Sequence, residues 1–67
     1  MNWTTYWWEI VDEDSPYCGE EFFTALPDNA GSGEHYHHAR NLFPGVKLKC
    51  HGYITEEEAE MMGLDTY

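Results

Sequence analysis

Sixty-seven residues carry thirteen Asp and Glu against three Lys and Arg, a formal net charge of −10. That balance excludes nucleic acid as a direct ligand and disfavours anionic membrane surfaces, because phosphates need cations opposite them. It leaves a basic protein, met through long-range steering, as the natural partner. The length predicts one small acidic domain, residues 1–67, with a thin core of the kind that often needs a staple.

Three Trp, five Tyr and three Phe within a 42% apolar composition argue for a packed fold over disorder. "WTTYWWEIV" (3–11) is aromatic and β-branched and reads as a strand. Its even face, with Tyr6, Trp8 and Ile10, is the expected core side. Trp3 and Trp7 then sit on the other face, partly exposed or covered by something else. "DEDSPYCG" (12–19) is turn chemistry, and "EEFFTAL" (20–26) is the returning strand of a hairpin. Pro27 ends it, and a loop follows over 28–33.

"EHYHHARNLF" (34–43) places Tyr36, Ala39, Leu42 and Phe43 at helical spacing, and Pro44 disfavours helix at Phe43. "VKLKCH" (46–51) alternates as a strand, with Val46, Leu48 and Cys50 on one face. "ITEEEAEMMG" (54–63) is a short helix with a Thr55/Glu58 capping box, acids in its first turn and Gly63 as its stop. The predicted fold is α+β in the order β-β-α-β-α. It is a three-stranded, mainly antiparallel sheet covered by one helix, with a short C-terminal helix closing an edge.

Three of the four histidines fall within "GEHYHHAR" (33–40). His37 lies on the polar side of the predicted helix with Arg40 and Asn41. His35 and His38 are neighbours three residues apart, on the flank leading to Leu42. Cys50 projects toward the same helix. Cys18 can join if the 28–33 loop, able to span about 20 Å, returns the chain to the hairpin end. That path would also set the third strand antiparallel to the second. Cys18, His35, His38 and Cys50 would then form a Cys2His2 shell for a structural zinc, closed to hydrolytic chemistry. His51 is a reserve ligand. The competing reading makes Cys50 a small buried apolar residue and the histidines solvated helix surface. The spacing lacks the short cysteine knuckle of zinc fingers. A Cys50–His35 nucleophile pair lacks an orienting third group and an oxyanion loop, so no catalysis is expected.

No apolar run reaches the length of a membrane helix, and no basic, apolar signal opens the sequence. The expected compartment is therefore the cytosol, with both cysteines reduced.

The acids cluster: Glu9, Asp12, Glu13 and Asp14; Glu20 and Glu21; then Glu56, Glu57, Glu58 and Glu60, with Asp65 beyond. Such grouping can present a surface resembling a phosphate track to a cationic groove, since a purely solubilising surface could space its charges; the competing reading is a plain solvated face. Asp12, Glu13 and Asp14 on the turn, and Glu56, Glu57 and Glu60 on the last helix, are the expected partner-binding residues. With its small size and charge, and the tail "ITEEEAEMMGLDTY" after "VKLKCHGY", the chain resembles the small acidic anti-CRISPR proteins of bacteriophages. The resemblance covers the last third of the chain. It implies a non-catalytic inhibitor of a CRISPR effector nuclease, here of the single-protein type II kind, acting in the host bacterial cytoplasm. Effectors of that kind hold nucleic acid in positively charged channels. The alternative is a small zinc-binding structural or adaptor module with another host partner.

Overall fold

The computed structural model describes residues 2–67. The elements run β1 (Trp3–Ile10), β2 (Glu21–Pro27), α1 (Ser32–Leu42), β3 (Leu48–Ile54) and α2 (Glu56–Met62). This is the predicted β-β-α-β-α order, an α+β fold with a three-stranded antiparallel sheet.

Strand order is β2-β1-β3, which puts the most aromatic strand in the centre. The β1–β2 hairpin pairs Trp3 with Pro27 through to Glu9 with Glu21. Its turn is closed by the Ser15 N–H on Asp12 O, the Cys18 N–H on Ser15 O and the Gly19 N–H on Ile10 O. β3 pairs antiparallel to β1 and so runs in the same direction as β2, two strands away. An antiparallel relation between the second and third strands is therefore corrected. The loop before α1 is too short to return the chain. The eleven-residue helix makes the return itself, rising about 16 Å along the sheet.

α1 begins two residues earlier than its apolar pattern predicts. The Gly31 carbonyl accepts from the Glu34 and His35 N–H groups, and no side chain caps this end. Phe43, at φ −131° and ψ 75°, leaves the helix as the proline after it requires. One face of the sheet, carrying Tyr6, Trp8, Ile10, Phe22 and Thr24, packs under α1. Its core is Trp8, Ile10, Phe22 and Ala39, flanked by Leu42, Phe43, Val46 and Leu48.

The other face is also covered, by α2 and the tail. β3 carries a bulge there: Trp8 pairs with Cys50 and Trp7 with Gly52, so His51 is the extra residue. Gly52 takes φ +100°, a value side chains rarely adopt. The bulge reverses the alternation and turns Ile54 to the α2 face, where it and Phe23 are buried. The chain then passes through α2 to β2's free edge. Thr66 bridges Phe23 in parallel there, through the Phe23 N–H on Asp65 O and the Tyr67 N–H on Phe23 O, both 2.9 Å. The tail thus closes one edge of the sheet and leaves β3 as the other. No helix among the described residues is long and apolar enough to cross a membrane.

Candidate functional site

His35 is the centre of the α1 face. It is 0% exposed, packed against Tyr6 with ring centroids 4.4 Å apart and planes tilted by 36°, and its Nδ1 lies 2.8 Å from Thr24 Oγ1. The same hydroxyl oxygen accepts the Trp8 indole N–H at 2.9 Å. Thr24 is itself fully buried, and His35 Nδ1 is the acceptor its hydroxyl proton can reach. With its oxygen already accepting from Trp8, the hydroxyl is assigned as the donor to Nδ1, the tautomer that carries the imidazole proton on Nε2. That Nε2 has no hydrogen-bond partner, and neither does the buried Nε2 of His38. Burial first, then the neighbouring His38, push the His35 pKa below its ordinary value, with Glu34 acting weakly the other way. The imidazole is thus neutral at pH 7.

The predicted zinc shell divides. His35 and His38 come together on one turn of α1, while the cysteines stand elsewhere, both exposed free thiols. Cys18 lies in the hairpin turn beyond Ile10. Tyr6 and Thr24, the strand partners of His35, are four residues further along, about 13 Å. Cys50 sits on β3 opposite Trp8. Tyr36 and Arg40 face that strand across a cleft with Val46 and Leu48, and His38 lies on the opposite flank of the helix. His51 stacks on Trp7 at 4.2 Å on the α2 face and bonds Glu9 Oε1 at 2.9 Å, away from Cys50. Among the described residues no three His, Cys, Asp or Glu side chains group as metal donors. The donor chemistry that fits a metal is the histidine pair alone. Coordination through His35 Nε2 would further require its proton to move to Nδ1, stranding the Thr24 hydroxyl.

The acids fall on two surfaces. Glu13 and Asp14 are exposed, but Asp12 is partly buried and builds the turn. Its Oδ1 accepts the Asp14 N–H at 3.0 Å and its Oδ2 the Lys47 N–H at 3.2 Å, tying the hairpin to the approach of β3. Glu56, Glu57, Glu58 and Glu60 are all exposed on α2. That helix buries no side chain. It is held at one end by Thr55 Oγ1 accepting the Glu58 N–H, and at the other by left-handed Gly63 at φ 67°. The second half of the predicted capping box differs: the Thr55 hydroxyl donates to Glu58 Oε1 at 2.9 Å. Glu9 and Glu21 also lie on the α2 face, Glu21 accepting the Trp7 indole N–H. The ion pair among the described residues is Glu9 with His51. Arg40, Lys47 and Lys49, the chain's three Lys and Arg residues, sit within ten residues of one another on α1, the approach to β3 and β3 itself. Lys49 pairs with Glu9 across the strands and so shares the α2 face with His51, at the end of the sheet away from α2 itself, whose four carboxylates have no ion-pair partner among the described residues.

The two-sided cover is what sequence reasoning missed. Its signal was present in apolar residues on both faces of β1 and in adjacent Phe22 and Phe23, the pattern of a strand buried on both sides. Compared with family models, with curated proteins and with solved structures, the chain matches none.

Proposed function

We propose that this protein is a non-catalytic inhibitor that lays an anionic surface into a cationic, nucleic-acid-binding region of a CRISPR effector nuclease in the bacterial cytoplasm, and so blocks target DNA. The observation that carries the reading is the segregation of charge. The four carboxylates of α2, and those of Glu13 and Asp14, stand in solvent without an ion-pair partner among the described residues, and none of Arg40, Lys47 and Lys49 lies on α2. A capped helix presents its acids without further ordering on binding, which favours affinity. Asp12 is the exception among the acids named, since both its oxygens hold backbone N–H groups.

Cleavage of a DNA target by a purified type II effector–guide complex tests the proposal. Inhibition should weaken as salt rises, mainly through slower association. Target DNA should compete with the inhibitor. Reversing Glu56, Glu57 and Glu60 to Lys should abolish inhibition, and reversing Glu13 and Asp14 should reduce it less. Undiminished cleavage at excess inhibitor, or inhibition untouched by both reversals, overturns the reading.

One observation favours the second reading, a zinc-binding adaptor: the partnerless Nε2 atoms of His35 and His38. Zinc would neutralise the cost of those orphaned groups and add its binding energy to folding. Elemental analysis of untagged protein should then find about one zinc per chain, with melting lowered by a chelator. A metal-free chain that folds stably refutes it.

A further inference from the structure

Trp3 stands out on the α2 face. It is 60% exposed at the start of the central strand, although the fold buries Trp8 and locks Trp7 against Glu21 and His51. Its indole forms a wall common to two clefts. One, of about 400 Å³, has Trp3, Asp28, Tyr53 and Glu56 in its lining. The other, of about 420 Å³, sets Trp3 against Ala25, Ala59, Leu64, Glu56 and Glu60. Glu56 borders both. Among the described residues no cationic side chain lines either cleft.

We propose that this paired cleft is the seat of an arginine side chain from a basic partner protein, with the guanidinium on the Trp3 indole and its donors on Glu56. The inference rests on the reading of the chain as an acidic inhibitor and names the place where the partner is held. Charge decides the class of occupant. Carboxylates on both sides of an exposed ring repel phosphates and lipid headgroups, and they attract a cation. The ring decides between the two cations. A guanidinium is planar and weakly hydrated, stacks on an indole and carries five donors in a fork that suits a carboxylate. An ammonium is compact and strongly hydrated, so it gains less from the ring face. Ala25, Ala59 and Leu64 supply an apolar floor for the methylene stem, the usual way a long cationic side chain covers apolar surface. Both clefts lie within the size range of small ligand sites, large enough for one such side chain.

The test is a titration of the ¹⁵N-labelled chain with a blocked pentapeptide carrying two arginines, and with its lysine counterpart, followed at the three indole N–H resonances. Saturable movement of the Trp3 resonance is expected at low salt, with the Trp8 resonance fixed and the arginine peptide bound more tightly. Trp3→Leu and Glu56→Gln should each weaken binding about two- to fivefold. Trp3 is exposed, and an unmoved Trp8 resonance in each variant certifies the fold. Unchanged affinity in both variants, no binding, or shifts confined to Glu13 and Asp14 would each overturn the seat. A Trp3 resonance that moves with protein concentration alone assigns the cleft to a second copy, which also overturns it. The two proposals fail separately. Wild-type inhibition of cleavage after both substitutions removes the seat and keeps the function. Arginine binding at Trp3 with cleavage untouched removes the function and keeps the seat.

Discussion

Thr24→Val is the sharpest perturbation of this fold, because one hydroxyl serves two buried groups. Thr24 Oγ1 accepts the Trp8 indole N–H and bonds His35 Nδ1, at 2.9 and 2.8 Å. Valine keeps the shape and the strand preference, yet it strands both partners. Each buried polar group left without a partner costs about 1–3 kcal/mol. With some relaxation the pair together should cost about 2–4 kcal/mol. A domain of this length has about 3–10 kcal/mol in all. Its unfolding entropy is about 0.14 kcal/mol per degree, so melting should fall by about 15–30 °C. Thr24→Ser keeps the hydroxyl and loses one methyl, for about 1 kcal/mol and about 7 °C. The ordering is what matters: the isosteric valine must be worse than the smaller serine. Adding His35→Leu to Thr24→Val removes one stranded partner and should recover about 1 kcal/mol. Thermal and urea melts followed by circular dichroism decide it. A valine variant as stable as the serine one would refute the relay and the tautomer derived from it.

Acid should destabilise the fold through His35. Its pKa is lowered on folding from 6.5, so its contribution is full above that value and is lost as pH falls below it toward the folded value. The urea midpoint should drop between pH 8 and pH 5.5 in the wild type and drop less in His35→Leu, and equal drops would refute this. Thr55→Ala removes the α2 cap and should cost about 1 kcal/mol, or about 7 °C in melting. Unchanged melting would mean the helix contributes nothing to the cooperative unit. Glu60→Lys should stabilise the chain by a few tenths of a kcal/mol, placing a cation four residues after Glu56 near the helix C-terminus, while weakening inhibition. Loss of stability and retained inhibition would reverse both signs.

Element order was legible because local chemistry wrote it: the aromatic run of β1, the Pro44 stop, the alternation of β3, and Thr55 and Gly63 at the ends of α2. What stayed hidden depends on groups meeting across the sheet. His35 falls in line with Ala39 and Leu42 on a helical wheel, but nothing local marks an imidazole there as a core residue. It is buried because Thr24, eleven residues earlier, offers a hydroxyl already anchored by Trp8. Conversely Tyr36, the first residue of the apparent apolar stripe, is displaced to the flank and stays exposed. Cys50 has the right parity for the α1 face, but β3 is an edge strand there and the helix packs over β1 and β2, so the thiol is exposed. The bulge at His51 was marked only by Gly52, and without it Ile54 would face the wrong way. A tail strand anchored by a single bridge leaves no periodicity to read.

The acids of α2 are best understood from what the helix lacks. With Ala59 half-buried and no residue fully buried, α2 gains little from an amphipathic face. Glu56, Glu57 and Glu58 in its first turn complement the backbone dipole, so structure alone accounts for them. Glu60 is different. It lies beyond that turn, one helical turn from Glu56, where like charges repel by a few tenths of a kcal/mol. Among the described residues no cation is paired with it to compensate. Its carboxylate lines the same cleft as Trp3 and Glu56. A charge that weakens its own helix while lining a cleft beside an exposed indole is where stability and binding have opposed demands. For the proposed inhibitor, the conflict favours this face as the contact over the hairpin turn, where Asp12 is already committed to backbone N–H groups.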